Sequence, residues 1–524
     1  MSPKDNDKIL LLEKGKRGLL QVILGRTTVI LVLMVLQIGL LFWFFEYLSQ
    51  YIPIASVAYA ILSISIVLYI INQPENPSIQ LSWVAMILLL PVFGSLLYLF
   101  LNTQIGHRLI NQKLQMEIND TRNFSRQEDR VIKKLREKNA GIANLSKYMN
   151  QYGPYPTYDN SAVEYFPIGE DMFEAMIEQL QKAEKFIFLE FFIIKEGYMW
   201  GRVLKILQEK AEQGVEVRLL YDGTCAIALL PYRYPKEVQK LGIQCKMFAP
   251  IRPTISTHYN NRDHRKILVI DGKTAFTGGV NLADEYINQR KVYGHWKDTG
   301  VMIQGDAVKS FTLMFLQMWN ITEYKQDYGK YLNLPKQQIP EAKGFVMPYG
   351  DSPLDGENVA EMVYMDIINR AERYVHITTP YLILDHEMVT ALTFAAKRGV
   401  EVIILMPHIP DKKYAFALAK THYPELIRAG VHIYEYTPGF VHAKMFVADD
   451  REAVVGTVNL DYRSLYLHFE CGAYFYDNPA VGSVEKDIQE TLQKSQLITI
   501  EDCRHEKLTV KLGGKLLRLF APLM

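Results

Sequence analysis

The stretch DHRKILVIDGKTAFTGGVN, residues 263–281, decides the fold, because its pattern returns once further along the chain. The second copy is VHAKMFVADDREAVVGTVN, residues 441–459, offset by 178 residues. In both copies Lys follows His by two residues, Asp by seven and Asn by seventeen. A lone His-x-Lys is usually a strand-edge histidine, but two copies that agree in this way indicate an internal duplication. The matched residues are His264, Lys266, Asp271, Gly278 and Asn281, then His442, Lys444, Asp449, Gly456 and Asn459.

Each motif closes a longer repeat of strands and helices. Apolar runs bounded by turn residues predict strands, and the amphipathic runs between them predict helices. Two pseudo-symmetric α/β halves, joined by a long connection around residues 320–345, are the natural interpretation. The first half is predicted to have strands at 184–194, 215–221 and 266–271 with a helix at 201–213; the second has strands at 372–382, 400–407 and 444–448 with a helix at 387–397.

Each motif strand places its histidine and its lysine on the same face. Side chains alternate along a strand, so His264 and Lys266 point the same way, as do His442 and Lys444. An imidazole and an ammonium beside a Gly-rich turn suit a phosphate group, because Lys supplies charge and glycine lets the backbone approach closely.

Three charge-free apolar stretches precede the repeat, at residues 27–45, 54–71 and 81–101. A helix that crosses a bilayer needs about 20 such residues, and three stretches so close together would leave buried soluble helices without a polar face. The sequence therefore predicts an integral membrane protein. A cleaved signal peptide is disfavoured, because more apolar sequence follows the first stretch.

The flanking charges predict the orientation. Residues 1–26 carry six Lys/Arg against three acids, and residues 102–150 carry ten against five. The positive-inside rule places both flanks in the cytoplasm, which requires an even number of crossings although there are three stretches. One stretch is therefore expected to lie in the interface or to re-enter, and Pro91 and Gly94 make the third the candidate. We expect a cytoplasmic catalytic domain in a multi-pass protein of the cell membrane.

Composition argues against nucleic-acid binding, a disulfide framework and a metal site. With 58 basic and 57 acidic side chains the net charge is +1, so the chain has no global field for nucleic acid. The four cysteines are scattered and give neither a zinc motif nor a disulfide framework. The histidines outside the two motifs, His468 among them, show no metal-ligand spacing, so no metal or cofactor is expected.

Two further segments have alternative interpretations. Residues 125–147 predict a charged helix, either a solvated linker or a segment lying on anionic headgroups, with the linker favoured. The C-terminal LTVKLGGKLLRLFAPLM, residues 508–524, mixes leucines with basic residues. It is either a basic amphipathic element at the membrane interface or a docked terminal segment.

The duplicated motif is the signature of the phospholipase D superfamily, and the chain resembles its bacterial cardiolipin synthases. The resemblance runs from about residue 55 to the C-terminus. An additional N-terminal apolar stretch and Thr457, where Ser is usual, depart from the pattern. The resemblance is carried by WVAMILLLPVFGSLLYLF (83–100), GGVNLADEY (278–286), GHWKDTG (294–300) and NLDYRSLYLHFE (459–470).

This resemblance implies two phospholipase D-like α/β sandwich halves that place both histidines in one site. It implies transfer of a phosphatidyl group between two phosphatidylglycerol molecules in the membrane, without metal, through a phosphatidyl-histidine. His264 is then the nucleophile and His442 the proton carrier.

The resemblance also implies roles for other residues. Lys266, Lys444, Asn281 and Asn459 are expected to bind the phosphate. A carboxylate 25–35 residues beyond each motif histidine is expected to orient that ring, and Asp298 and Glu470 occupy these places. Asp271 and Asp449 belong to the catalytic motifs, but their position at the strand ends favours capping of the following turn.

The implied organisation has four parts: a membrane region to residue 104, a charged helical linker at 105–155, a first half at 156–335 and a second half at 336–524. Three alternative functions stay open. A lipid hydrolase shares the same intermediate, with water replacing the second alcohol. A nucleic-acid phosphodiesterase is disfavoured by charge and by the apolar stretches, and a catalytically inactive scaffold by the two complete motifs.

Overall fold

The computed structural model describes residues 53–102, 105–250, 261–323, 327–335 and 339–523, with isolated positions between 32 and 47. The first half forms a sheet in the order β1-β9-β7-β6-β2-β3-β4, while two short strands, β5 and β8, lie outside it. Its strands are β1 (Ser161–Phe166), β2 (Phe186–Phe191), β3 (Glu216–Asp222), β4 (Gln244–Phe248), β5 (Arg262–Asp263), β6 (Lys266–Ile270), β7 (Thr274–Gly278), β8 (His295–Lys297) and β9 (Gly300–Gly305).

The second half repeats this order, as β10-β19-β17-β16-β11-β13-β14, and adds β20 at the edge. Its strands are β10 (Phe345–Asp351), β11 (Tyr374–Thr378), β12 (Leu382–Ile383), β13 (Glu401–Pro407), β14 (His432–Tyr436), β15 (Gly439–Val441), β16 (Met445–Ala448), β17 (Glu452–Gly456), β18 (Leu460–Asp461), β19 (His468–Tyr476) and β20 (Ser495–Ile498).

Each sheet has a parallel and an antiparallel side. In the first half β2, β3 and β4 are parallel, and β6, β7, β9 and β1 continue antiparallel. The motif strand β6 pairs with β2 near the middle of the sheet, so every residue of KILVI is buried. A strand covered on both faces is apolar at successive positions, which is why this motif reads as a continuous run. The predicted α/β duplication is confirmed.

Helices cover both sheets and join them. Their bounds are α1 (Pro53–Ile71), α2 (Pro77–Leu89), α3 (Pro91–Asn102), α4 (Ile105–Thr121), α5 (Asp129–Lys138), α6 (Ala140–Tyr152), α7 (Gly169–Gln181), α8 (Tyr198–Glu212), α9 (Cys225–Ala228), α10 (Tyr234–Gln239), α11 (Val308–Asn320), α12 (Tyr328–Leu332), α13 (Val359–Arg370), α14 (His386–Lys397), α15 (Lys413–Arg428), α16 (Tyr462–Tyr466), α17 (Pro479–Leu492), α18 (Ile500–His505) and α19 (Leu508–Arg518).

The third apolar stretch is broken, as Pro91 suggested. Helix α2 ends at Leu89 and α3 begins at Pro91, where proline at the first helical turn cannot continue the preceding helix. The two helices fold back on each other, with the Trp83 and Tyr98 ring centroids 5.2 Å apart. A Cβ on Gly94 would lie 2.9 Å from the Ile87 Cα, so the close approach requires glycine.

The N-terminal region is only partly described. Of the predicted stretches, residues 27–45 lie largely outside the described residues. Across the part of the chain that the structure does describe, no helix combines the length and the apolarity needed to cross a bilayer.

The predicted charged linker is not a solvated helix. Residues 125–147 form parts of two helices, α5 and α6, which are separated at Asn139. Val131, Leu135 and Ile142 are buried in the core of the second half, and Asn139 accepts a bond from the Ile142 amide as the cap of α6. The apolar side chains spaced along this charged segment hold it on the second sheet.

Candidate active site

Both motif histidines lie at the junction of the two halves. His264 follows β5, which pairs with β19 of the other half, and its backbone N–H donates to the Phe469 carbonyl at 2.9 Å. His442 follows β15, which pairs with β8, and its N–H donates to the Lys297 carbonyl at 2.8 Å. Each half thus holds the histidine of the other half in place. Both rings line one cleft of about 860 Å³.

Each histidine has a carboxylate partner from the opposite half. His264 Nδ1 lies 2.9 Å from both carboxylate oxygens of Glu470, and His442 Nδ1 lies 2.7 Å from Asp298 Oδ2. Both carboxylates are fully buried. The spacing rule pointed to these two acids but paired each with the histidine of its own half, and that pairing is wrong because the strands cross at the junction. An engaged Nδ1 leaves Nε2 of each ring for a substrate.

The carboxylates are themselves held. Glu470 accepts a hydrogen bond from the Thr457 hydroxyl, which in turn accepts from the Cys471 amide at 3.0 Å. Threonine thus keeps the hydroxyl that serine usually supplies at this position, and the hydroxyl holds the Glu470 carboxylate in place. In the first half Asp298 approaches the backbone instead, and a Cβ on Gly279 would lie 1.9 Å from its Oδ1. The two copies differ at this motif position because Thr457 supplies a hydroxyl to Glu470, whereas Gly279 leaves room for Asp298.

The motif lysines lie behind the histidines. Lys266 and Lys444 are each 1% exposed, and each ammonium donates to the backbone carbonyl of its own motif histidine. The expectation that they bind the phosphate is therefore not met by direct exposure, because neither ammonium is part of the cleft wall. Burial lowers the pKa of Lys266 to about 8 and that of Lys444 to about 7. An anion in the cleft stabilises the charged form of lysines that are buried in this way.

The two imidazoles are held neutral. Burial, Lys266 and Lys444 lower the pKa of His264 well below its usual value. Burial and Lys444 lower the pKa of His442 to about 4, although Asp298 opposes them. Burial favours a neutral Asp298, but His442 and Lys444 outweigh it and keep the pKa of that carboxyl below its usual value. A neutral imidazole near neutral pH can act as nucleophile or base.

The two motif asparagines line the cleft beside the histidines. Asn281 accepts a hydrogen bond from the Ile193 amide and donates to the Tyr286 hydroxyl, both at 2.9 Å. Asn459 donates to the Ser464 hydroxyl at 2.9 Å. Each amide nitrogen has two hydrogens, so one remains for a ligand oxygen.

The motif aspartates do not belong to the cleft. Asp271 accepts hydrogen bonds from the amides of residues 184–186, where β2 begins, at 2.7–2.9 Å. Asp449 does the same for residues 372–374 before β11, at 2.7–3.0 Å. Each lies at the far end of its motif strand, about 16 Å from the lysine at 3.3 Å per residue. Their place in the motif is structural, and they cap a neighbouring strand rather than the following turn.

His468 is a cleft residue that the sequence analysis missed. Its ring centroid lies 5.4 Å from that of His264, and its Nδ1 is 3.7 Å from Glu470 Oε1. His264, His468 and Glu470 each offer a ligand atom, and these atoms lie within 4.8 Å of one another. The expectation that no such cluster exists is therefore wrong. A signal was present, since His468 and Glu470 are two apart on one strand and share a face.

The remaining cleft wall is aromatic and basic. Phe192 packs edge-on against His264 with ring centroids 4.8 Å apart, and Trp296 lies 5.5 Å from His442. Among the described lining residues the bases outnumber the acids, which suits an anionic substrate. The charged lining residues are Lys195, Arg262, Arg290, Lys412 and Arg463 against Glu285, Asp411 and Asp461.

Comparison with known proteins agrees with this geometry. A family model described as "Cardiolipin synthase, PLD-like domain" matches residues 176–319 and 364–492, and one described as "Phospholipase_D-nuclease N-terminal" matches residues 60–101. An uncharacterized protein of Streptococcus mutans is 51% identical over 87% of this chain and 99% of its own length. A cardiolipin synthase of Geobacillus kaustophilus is 33% identical over 88% of this chain and 92% of its own.

Among solved structures, a phosphatidylserine synthase of Haemophilus influenzae superposes with a TM-score of 0.53 at 16% identity. The alignment covers 74% of this chain and 98% of that protein. At this identity the likeness concerns the fold, and it extends to both halves.

Proposed function

We infer the reaction of this chain from its family, because the chain belongs to the cardiolipin synthases of the phospholipase D superfamily. It transfers the phosphatidyl group of one phosphatidylglycerol to the terminal hydroxyl of a second, and the products are cardiolipin and glycerol. The observation that carries this proposal is the pair of histidines in one cleft, each with its own buried carboxylate. A double displacement at phosphorus needs two such groups, one to form the covalent bond and one to move the proton.

In the first step His264 Nε2 attacks phosphorus, and the bond from phosphorus to the glycerol oxygen breaks. Once the anionic lipid is bound, His442 enters this step as the imidazolium, which Asp298 and the phosphate stabilise, and it gives its Nε2 proton to that oxygen, so glycerol leaves as a neutral alcohol. In the second step the terminal hydroxyl of the second phosphatidylglycerol loses its proton to His442 and attacks phosphorus. The phosphorus–nitrogen bond breaks, and His264 is regenerated with its electron pair.

The charges around the two rings are alike. Burial is the largest cause that lowers the pKa of His264, and Lys266 and Lys444 lower it further; a neutral ring is the nucleophilic form. For His442 burial and Lys444 lower the pKa, while Asp298 raises it through a 2.7 Å hydrogen bond. Each ring has a buried carboxylate at Nδ1 that stabilises an imidazolium, so the assignment of His264 as nucleophile and His442 as proton carrier follows the resemblance to the superfamily.

The lysines and asparagines bind the phosphate in this proposal. A phosphodiester repels nucleophiles, and charge that builds on its oxygens needs nearby positive groups. Lys266 and Lys444 supply that charge from behind the histidines, where burial prevents screening by salt. Asn281 and Asn459 supply amide donors from the cleft wall.

The N-terminal region is proposed to lie in the membrane. Helix α1 and the α2–α3 hairpin expose many large apolar side chains. A continuous apolar patch of this kind is unfavourable in water and marks a surface that contacts membrane or protein. A hairpin enters and leaves the bilayer on one side, so the third apolar stretch adds no net crossing and both basic flanks can face the cytoplasm. The exposed side chains include Ile61, Ile64, Leu68, Leu81, Leu88 and Leu89.

The cleft adjoins this membrane region. A second cavity of about 380 Å³ lies between α2 and the second half, with Leu81 on one side and Arg518 on the other. Ile383, Tyr462 and Ala521 line both this cavity and the cleft, so the two spaces are neighbours. A lipid can thus present its headgroup to the histidines while its acyl chains stay in the bilayer. This favours lipid over nucleic acid as the substrate.

The C-terminal helix α19 extends the same membrane-facing side. It packs closely on α15, since a Cβ on Gly514 would lie 2.4 Å from the Ala417 carbonyl. Its other face exposes Leu508, Leu512 and Leu516, each at least 59% accessible and spaced one turn apart. Both interpretations of this segment therefore hold in our proposal: the helix is docked, and its leucines enter the membrane interface.

The direct test is lipid composition in a bacterial host that lacks its own cardiolipin synthases. Expression of the full chain is expected to restore cardiolipin, and the His264→Ala variant at equal abundance is expected not to. Phosphatidic acid as the main product of the wild type would instead support the hydrolase, because water would then accept the phosphatidyl group. Absence of both products would contradict the proposed function.

A further inference from the structure

The cluster of His264, His468 and Glu470 has a ligand set that the transfer reaction does not need. The reaction uses one carboxylate for each catalytic histidine, and His468 is a third imidazole beside one of these pairs. Its Nδ1 lies 3.7 Å from Glu470 Oε1, and His264 Nδ1 lies 2.9 Å from the same oxygen. All three residues are buried at the wall of the cleft or directly behind it.

The other half of the molecule shows that this third imidazole is not part of the duplicated chemistry. His468 stands two residues before Glu470, and the residue two before Asp298 is Trp296. Both flank their catalytic histidine at nearly the same ring separation, 5.4 Å for His468 and 5.5 Å for Trp296. The Trp296 indole fills this place beside His442, so packing alone does not require a histidine at the equivalent place beside His264.

The nitrogens of His468 point to a ligand. Both ring nitrogens are buried, and neither has a hydrogen-bond partner within the described part of the chain. The whole residue is 7% exposed. Buried polar atoms are almost always satisfied, and an exception calls for water, an ion or a functional role. His468 is oriented towards His264 and Glu470, which both offer a ligand atom.

We propose that His264, His468 and Glu470 form a site for a zinc ion that inhibits the enzyme. Two imidazoles and a carboxylate with an open fourth position are a common zinc ligand set. With Zn–N and Zn–O bonds of about 2.0–2.2 Å, tetrahedral ligand atoms are about 3.3 Å apart. The separations of 2.9 and 3.7 Å in this cluster bracket that value.

Occupation of this site blocks the first chemical step. A zinc ion takes the electron pair of one nitrogen of His264 and draws Glu470 away from its orienting hydrogen bond, so the ring can no longer attack phosphorus. The fourth position is left for water or a lipid phosphate. The inhibitory part of this inference rests on the proposed function, whereas the binding part does not.

The test uses the full chain in detergent after removal of metal with a chelator. Zinc binding is measured by isothermal titration calorimetry without lipid, and cardiolipin synthesis is measured with and without zinc. His468→Asn and His468→Gln remove the third ligand. His408→Asn is the matched control, because His408 pairs with the buried Glu435 at 3.0 Å away from the cleft.

The wild type and His408→Asn are expected to bind one zinc ion at the cleft and to lose activity, with recovery on adding chelator. Both His468 variants are expected to bind zinc at least about tenfold more weakly. Inhibition is expressed as activity with zinc relative to activity without it, so a change in basal rate does not affect the result.

Equal zinc affinity and equal inhibition in wild type and both His468 variants would overturn the proposal. Lack of stoichiometric binding by the folded wild type would overturn it as well. Zinc binding that depends on His468 in a chain that makes no cardiolipin would retain the site and reject the proposed function, so the two failures are distinguishable.

Discussion

The Asp298→Asn substitution tests whether the buried carboxylate controls the proton carried by His442. Asp298 Oδ2 lies 2.7 Å from His442 Nδ1, and Asp298 Oδ1 accepts from the Thr299 amide at 2.9 Å. Asparagine has nearly the same shape and keeps an oxygen for Thr299. The change therefore removes a charge from a fully buried position without opening a cavity.

The expected loss follows from the hydrogen bond. A bond to a charged partner contributes about 1.5–3 kcal/mol, against about 0.5–1.5 kcal/mol for a neutral one. Losing about 2 kcal/mol of imidazolium stabilisation lowers the rate about 30-fold. An asparagine amide that donates to Nδ1 also forces the wrong tautomer, and in serine proteases the same change lowers turnover about 10⁴-fold. We expect kcat to fall between these values.

The assay is kcat for cardiolipin formation from labelled phosphatidylglycerol in mixed micelles, with the melting temperature measured on the same sample. Glu452→Gln is the control, because Glu452 is a buried carboxylate that pairs with Arg370 at 2.8 Å outside the cleft. It is expected to lower stability and leave kcat near that of the wild type. An Asp298→Asn enzyme with kcat within about twofold of wild type would refute the role assigned to this carboxylate.

Three other outcomes follow from the site. Lys266→Ala and Lys444→Ala should each lower kcat at least about tenfold while the melting curve stays cooperative, because only one buried ammonium then remains behind the histidines to offset the charge on the phosphate; near-normal turnover would remove that lysine from the mechanism. In the free enzyme the pKa is about 7 for Lys444 and about 8 for Lys266, so both lose their proton and kcat/KM falls as the pH rises through this range. Lys444→Arg should flatten the fall near pH 7, and an unchanged profile would exclude Lys444 as its cause. Asp271→Asn should lower stability by about 1–3 kcal/mol with kcat preserved, since it weakens three amide hydrogen bonds remote from the cleft; a selective loss of kcat would contradict its structural role.

The sequence predicted the elements near each motif well, because local patterns determine them. The run KILVI became the buried strand β6, and Pro91 correctly marked the break between α2 and α3. That both histidines lie in one cleft was implied by the resemblance to the superfamily. Periodicity and proline geometry can be read within a short window, and the repeat is found by comparing two short windows 178 residues apart.

The errors concern contacts between distant parts of the chain. The exchange of Asp298 and Glu470 between halves depends on how β8 and β19 cross the junction, and spacing within one half carries no information on it. His468 shows no ligand spacing along the chain because its partner His264 comes from the other half. The charged segment near Leu135 packs on the second half through its spaced apolar side chains, a contact that its many charges do not predict.

The most direct test of the central claim is to trap the covalent intermediate. Wild type, His264→Ala and His442→Ala are incubated with phosphatidylglycerol labelled at phosphorus, quenched in base because phosphohistidine is acid-labile, and mapped by peptide. Label on the peptide that contains His264 is expected in the wild type, slowly in His442→Ala and not at all in His264→Ala. Label at His442 in the His264 variant, with none in the converse variant, would reverse the assignment. Absence of label at either histidine in an active wild type would contradict the covalent mechanism.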